Sequence, residues 1–532
     1  MNKEIKPYIL VIVAVTAMVA GITLGALTER KDKVYEITGR GVSDNKLNAI
    51  WNLVDRNYVD ILDGDSVMDN IYRAVLSTLD PHSVYLTRGQ MEKESELLRG
   101  NFEGIGVVIR MIDDTVRVSQ VIPDGPSDKA GLLAGDCILN VDGVDVSGVK
   151  MVSDSVVSHL RGSRRSVAKL TVFRLSEQRK LNINVTRDVI TTPSMAYFGM
   201  IDSQTGYIRL ERFGETTHNE FASAIDKLKG QGMKRLLLDL RGNSGGLLSA
   251  AIDICDDLLP GREMIVYTEG AHERRRETHS SRGGRFGEGE LIVLIDEYSA
   301  SASEIVAGAI QDNDRGLVVG RKSFGKGLVQ QQFRLPDKSA VQLTIARYYT
   351  PSGRCIQRPY DKGTDEYYND FIQNIMNEYE GDTILTQIND STPYYTTGGR
   401  TVYGGGGIYP DHTIHYAKET DIGYYNQILR KLIISDYVFD YVTLHGSQIK
   451  TRYNETRFVK EYQVTDETLE ALFRYGERKG VARDNACISK YREEIRSRIK
   501  AEIGQMLYSN HTFYSVLLKY DNDITQAMKY FK

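Results

Sequence analysis

The sequence predicts a multidomain protein of mixed α+β/α/β class, and a few observations carry that reading. Apolar residues recur at helical spacing before residue 100, and the period becomes strand-like from Asn101 onward. Residues 189–415 then alternate short apolar strands with helices, the pattern of an α/β core. A charged, aromatic, helix-rich segment follows. The 532 residues exceed one ordinary domain. Lys and Arg number 67 against 71 Asp and Glu, so no basic field argues for nucleic acid as a partner.

The elements divide into five stretches. In residues 1–30, Lys3 and Lys6 precede an uncharged run over residues 7–28. About 20 apolar residues span a hydrocarbon core of about 30 Å. The charge asymmetry keeps the lysine end in the cytoplasm. The expectation is a single-pass anchor in the inner (cytoplasmic) membrane, with the rest periplasmic or otherwise extracytoplasmic. Small residues between Gly21 and Ala26 also permit a cleaved signal segment. Residues 31–99 form a helical unit. One helix is expected over 43–60, with Leu47, Ile50, Trp51, Val54 and Tyr58 on one face. A second is expected over 66–79 and stops at Asp80-Pro81. This unit is expected to carry no chemistry of its own.

Residues 100–188 read as strands and tight turns. Gly104-Ile105-Gly106-Val107 opens the stretch. A strand over 115–121, the turn and short helix Pro126 to Leu132, and a strand from Cys137 into the Asp142-Gly143 turn follow. A helix over 153–160 and a hairpin over 167–185 complete it. A Gly-X-Gly turn before an edge strand offers backbone N–H groups to a carboxylate, and the edge can pair with an extended peptide. In the 189–415 core, an apolar strand at 235–240 runs into the glycine-rich turn Arg241 to Gly246 and a helix over 247–259. A second apolar strand at 291–295 precedes a helix beginning near Ser299, and a hairpin turns at Pro336-Asp337-Lys338. Residues 360–406 are polar, tyrosine-rich and poorly periodic, and read as a long insertion. Residues 416–532 read as a helical extension.

Two residues stand out chemically. Ser301 lies where a buried strand meets a helix, beside the unpaired N–H groups and positive dipole end of that helix. That setting suits a nucleophile whose substrate carbonyl becomes an oxyanion. The plainer reading is a helix cap, with Glu304 completing a capping box. Lys326 sits between glycines at the start of a strand, and strand alternation puts Lys326, Leu328 and Gln330 on one face. Desolvation there would favour the neutral amine, which can act as a general base. The plainer reading is a surface lysine in a turn. The 241–246 turn lacks a Gly-Lys-Ser/Thr ending, so an oxyanion donor fits better than a phosphate cradle. His218, His272 and His279 read as surface residues, and Cys137, Cys255, Cys355 and Cys487 as scattered small hydrophobes. No spacing implies a metal or another cofactor.

The series GIGV, PSDKAGL and GDCILNVDG resembles a PDZ domain. The motifs Asp239-Leu240-Arg241-Gly242-Asn243-Ser244-Gly245-Gly246, Ser299-Ala300-Ser301-Ala302-Ser303-Glu304 and Phe324-Gly325-Lys326-Gly327 with Gln330 resemble the carboxyl-terminal processing peptidases, or tail-specific proteases. Leu79-Asp80-Pro81-His82-Ser83 and Gly407-Ile408-Tyr409-Pro410-Asp411 extend the likeness over roughly residues 42–415. The turn departs from the family at Gly242 and Ser244.

The resemblance implies a serine endopeptidase with a Ser–Lys dyad that cuts proteins near their C-termini. It implies Ser301 as nucleophile, Lys326 as general base and Gln330 as the residue orienting the lysine. It also implies oxyanion donors from the backbone of Ala302 and of Gly245 and Gly246, and a supporting Glu304. Gly104, Ile105, Gly106 and Val107 would hold the peptide end, and Arg174 would couple the PDZ domain to the core. Substrates would be proteins or peptides with exposed C-termini. The insertion and the extension leave an adaptor or homo-oligomer contacts open. A peptide-binding scaffold with an inert core would need neither Ser301, Lys326 nor Gln330. No nucleotide or pantetheine signature supports thioester chemistry.

Overall fold

The computed structural model describes residues 46–281, 283–380, 390–416 and 419–532. The expected membrane segment lies outside the described residues. Among those described, no helix is long and apolar enough to cross a membrane. The chain divides into two units, residues 1–68 and 69–532. In the first, the expected amphipathic helix is Lys46–Asn57, and none of its residues is buried.

The second unit is built on a six-stranded sheet. Its order is Met195–Met200, Thr205–Leu210, Arg235–Asp239, Glu290–Ile295, Leu317–Gly320 and His412–Thr413. The first pair is antiparallel and the rest are parallel. The central strands read RLLLD and ELIVLI, apolar on both faces. Such strands must be covered on both sides. Leu236, Leu238 and Val293 face a core shared with helices Thr217–Gly230, Leu248–Leu258 and Ala302–Asp312. Leu237, Ile292, Leu294 and Val319 face the other way, and Ile524 and Ala527 of the extension pack on them. The extension therefore supplies a layer of the core. A second sheet packs Val84–Leu86, Ala340–Tyr349, Met264–Glu269 and Arg276–His279 in that order, with Leu328–Arg334 also on Ala340–Tyr349.

The segment from Asn101 to Thr191 forms its own β-domain. Strands Val107–Ile112, Thr115–Val121, Cys137–Val141, Val167–Arg174 and Arg179–Thr186 lie in that order. Val107–Ile112 is thus an edge strand. The extension also meets this domain. Arg110 Nη2 lies 2.6 Å from Asp436 Oδ1. The guanidinium groups of Arg110 and Arg117 sit 5.7 Å and 5.9 Å from the Phe439 ring centre.

The stretch read as an insertion, 360–406, has secondary structure of its own. It holds the helix Thr364–Glu380 and a hairpin of Asp390–Tyr395 with Thr401–Gly404. Its helix is anchored by aromatics rather than by an aliphatic stripe. Tyr367 is buried, and Phe371 stacks edge-on against Phe324 at 4.9 Å. The Arg358 guanidinium lies 4.0 Å from the Tyr367 ring centre and 4.6 Å from that of Phe324. Aromatic and cationic anchors leave little hydrophobic period to read.

Candidate active site

The parallel strands Arg235–Asp239 and Glu290–Ile295 end side by side, and both carboxyl ends open into loops. Sites in α/β sheets form beyond such ends. The 240–246 turn and the 296–303 segment are wired together there. Gly242 N–H donates to Asp296 Oδ1 at 2.9 Å, and Ser299 Oγ–H to the Leu240 carbonyl at 2.9 Å. Ala300 N–H and Ser303 Oγ–H both donate to the Asn243 carbonyl, at 3.0 Å and 2.8 Å. The departure at Gly242 therefore does not loosen the turn. Gly245 and Gly246 are required by close approach. A Cβ on Gly245, at φ +103°, would stand 2.8 Å from the Ser301 Cβ, and one on Gly246, at φ +141°, 2.0 Å from the Phe213 oxygen.

Ser301 is the N-cap of the helix Ala302–Asp312, and Glu304 accepts its backbone N–H, the Glu304 half of the capping box in the plainer reading. Its backbone is not that of an ordinary cap. An N-cap residue is usually extended, whereas Ser301 has φ 54° and ψ −111°. Such strain is held only where surrounding contacts impose it. Ala302, first in the helix, has an N–H with no acceptor inside the helix. Gly245 N–H, by contrast, is taken up within its own turn by Asn243 Oδ1 at 2.9 Å.

Glu304 is the hub. Its side chain is wholly buried. Oε2 accepts the N–H groups of Ser301 at 2.7 Å and Lys326 at 2.9 Å. Oε1 accepts Ser323 Oγ–H at 2.6 Å and Gly325 N–H at 2.7 Å. Burial pushes its carboxyl up to about 7 against these donors. The Tyr348 hydroxyl closes the other side, within 3.2 Å of the Ser301 carbonyl and 2.5 Å of the Lys326 carbonyl. Burial lowers the Lys326 amine below the ordinary lysine range, against the opposing pull of Glu304, Asp80 and Glu94. A neutral amine within reach of a serine hydroxyl can accept its proton.

Substituting Glu304 by glutamine tests this hub. An amide cannot accept from donors at both ends, so its NH₂ would face either the Ser301 and Lys326 N–H groups or the Gly325 N–H and the Ser323 hydroxyl, leaving at least one buried N–H unmet. Leaving buried donors unmet costs roughly 1–3 kcal/mol each. Glu304→Gln is expected to lower unfolding stability by about 3 kcal/mol in urea titration. Unchanged stability would show that Glu304 does not hold the two segments together.

Other sequence-selected residues fall in different places. The expected shared face of Lys326, Leu328 and Gln330 is interrupted. Lys326 precedes the strand, and the register shifts between Val329 and Gln330. The Gln330 amide donates to Thr344 Oγ1 at 3.4 Å. Arg174 is buried inside the β-domain. Its guanidinium bridges Asp136 at 2.8 Å through Nε and Nη2 and reaches the Gly131 carbonyl at 2.7 Å. Gly104 ends the strand Asn101–Gly104, Ile105 is buried, Gly106 follows and Val107 opens the edge strand. His272 and His279 are exposed as expected, whereas His218 pairs with Asp257 at 3.0 Å.

The helical unit before residue 100 is not free of chemistry. Asp80 and Glu94 bear electrostatically on Lys326. His82 is buried, its Nε2 lies 3.3 Å from the Tyr367 hydroxyl, and its imidazole is pushed down to about 3, chiefly by burial and then by Lys326. Asp80 accepts the N–H groups of His82 and Ser83, both at 2.8 Å. The Asp80-Pro81-His82-Ser83 motif was the available signal. Tyr348, near the end of the strand Ala340–Tyr349, had none.

Residues 204–366 match peptidase family S41, residues 104–185 match the PDZ domain, and residues 424–509 match a family of unknown function. The chain is 37% identical over 317 residues to the carboxy-terminal-processing protease of Bartonella bacilliformis, covering 59% of this chain and 72% of that protein. It is 36% identical over 293 residues to the carboxyl-terminal-processing protease of a Picosynechococcus species, covering 53% and 69%. It is 30% identical over 362 residues to the carboxy-terminal processing protease CtpA of Bacillus subtilis, covering 67% and 76%. With these likenesses spanning both the β-domain and the strand ends that carry Ser301 and Lys326, the chain belongs to the carboxyl-terminal-processing proteases, and is a serine-type peptidase of family S41 with a PDZ domain.

Proposed function

We propose that Ser301 and Lys326 form the catalytic dyad of an endopeptidase that cuts protein substrates near their C-termini, and that the PDZ domain recognises the substrate C-terminus. The observation that carries the dyad is the Glu304 carboxylate, which accepts the N–H groups of both Ser301 and Lys326 while Ser301 sits in a strained conformation. The neutral Lys326 amine takes the Ser301 hydroxyl proton as Oγ attacks the scissile carbonyl. Ala302 N–H and the Gly246 N–H of the glycine turn donate to the oxyanion, since Gly245 N–H is held by Asn243 Oδ1. Collapse breaks the C–N bond, and the Lys326 ammonium returns its proton to the leaving amine. Water, deprotonated by the same amine, then hydrolyses the acyl-enzyme. Gln330 is assigned the role of orienting the lysine. Arg174 would couple the domains only on leaving Asp136.

For the PDZ half, support comes from the edge strand Val107–Ile112 behind Gly104, Ile105 and Gly106. The relatives' names, which specify carboxy-terminal processing, point the same way. The uncharged 7–28 run supports a membrane anchor with the peptidase on the extracytoplasmic side. The domain limits 31–99, 100–188, 189–415 and 416–532 follow the same reading.

The test compares one substrate with a free and with an amidated C-terminus. A hydrogen bond to a charged group contributes roughly 1.5–3 kcal/mol, so amidation should lower kcat/KM by about tenfold or more. Equal rates would remove the PDZ half of the proposal and leave the dyad standing.

A further inference from the structure

The extension brings two aspartates to the foot of the active site. Arg241 opens the glycine-rich turn. One edge of its guanidinium grips Asp239, with Nε–Oδ1 3.0 Å and Nη2–Oδ2 2.6 Å. The other edge takes Asp521, with Nη1–Oδ1 3.1 Å and Nη2–Oδ2 2.9 Å, and Asp523 Oδ2 at 3.0 Å. The same Asp523 oxygen accepts Arg321 Nη1 at 3.0 Å, and Arg321 Nε donates to Glu297 at 3.1 Å. Arg321 opens the strap that ends in Lys326, and Glu297 lies just before Ser301. The side chains of Arg241, Arg321 and Asp523 are 10%, 8% and 15% exposed, so these pairs are poorly screened.

The charges require this arrangement. Asp239 is wholly buried and already shared with Arg209 at 2.7 Å. Two guanidinium groups therefore face one carboxylate. Removing Asp521 and Asp523 would leave a buried cation short of a counter-charge. Arg241 and Arg321 would keep Asp239 and Glu297, so each loop would keep its own anchor. What would be lost is the direct ionic tie between them, leaving only the bonds that run through the 296–304 segment.

We propose that Asp521 and Asp523 are positioning residues for the peptidase reaction, locking the oxyanion turn in register with the Lys326 strap. The inference rests on the Ser301–Lys326 dyad. Neither aspartate touches substrate, and both act through Arg241 and Arg321. A shift of the turn against Ser301 weakens donors needed only at the transition state, so kcat should fall while KM holds.

The test uses the full chain with Asp521→Asn, Asp523→Asn, the double variant and Asp523→Glu, assayed on a quenched-fluorescent peptide with melting followed in parallel. Asp521 Oδ1 also caps its helix by accepting Ile524 N–H at 3.1 Å. Asparagine caps equally well, so Asp521→Asn keeps the cap while removing the charge and the oxygen that accepts Arg241 Nη2. The expected kcat falls about threefold for Asp521→Asn and about tenfold or more for the double variant, with KM within about twofold. Asp523→Glu should restore most of the rate. A folded double variant with wild-type kcat, or one changed in KM alone, overturns the proposal. If Asp523→Asn does not fold, Asp521→Asn decides, and a wild-type kcat there is equally fatal. Ser301→Ala separates the two ideas. If it is inactive while the aspartate variants are normal, only the brace fails. If it stays active, the dyad fails.

Discussion

Replacing Ser301 by alanine is expected to lower peptidase activity by about 10⁴-fold or more while the chain stays folded. The hydroxyl is the proposed nucleophile, and the nearby hydroxyls are otherwise engaged. Ser299 Oγ–H donates to the Leu240 carbonyl and Ser303 Oγ–H to the Asn243 carbonyl. Neither can replace Ser301 without breaking the turn. Stability should fall by only about 1 kcal/mol, the usual cost of an N-cap serine. The Ser301 N–H bond to Glu304 involves the backbone and survives. Cleavage of a protein with an unstructured C-terminal tail, followed by mass spectrometry alongside thermal melting, measures both. Activity above about a tenth of wild type in a folded variant would exclude Ser301 as nucleophile.

The second large effect concerns Lys326. Lys326→Ala is expected to abolish turnover, because among the described residues the other bases near Ser301 are badly placed or already occupied. Glu304 is filled by four donors, and His82 is pushed down to about 3. The wild-type pH profile carries the more specific prediction. An ordinary lysine titrates near 10.4, and burial lowers Lys326 from its usual range. The neutral, active amine therefore gains population as pH rises, so kcat/KM should climb and level off below the ordinary lysine range. Glu304 pulls in the opposite direction, favouring the ammonium. In any folded fraction of Glu304→Gln, the rising limb should move to lower pH. A wild-type rate independent of pH between about 6 and 10 would sink the lysine base.

Much of the site was legible because its chemistry is local in sequence. The Ser301 helix start and the glycine turn each occupy a few consecutive residues, and each meets a steric or capping need that reads directly. Glu304 was visible as the third residue after a serine cap. Its reach to Gly325 and Lys326 was not, because that depends on where the strap crosses the helix. Gln330 shows the opposite case. Strand alternation put it beside Lys326, but the bulge after Val329 breaks the period on which the inference depended. Asp80, His82 and Glu94 were assigned to an inert unit, since nothing local tells a helix-capping turn from the wall of an active site.

By itself, the sequence determined the α/β core and the β-domain with its edge strand, and it singled out the proposed serine and lysine, all from short runs and their period. Its apolar strands at 235–239 and 290–295 also required cover on both faces, without naming what covers the second. Only the tertiary structure decided that the extension is that cover, through Ile524 and Ala527, and that Asp521 and Asp523 reach Arg241 and Arg321. The physical reason is distance along the chain. Roughly 280 residues separate Arg241 from its extension partners, and no periodicity or local propensity carries information across that span.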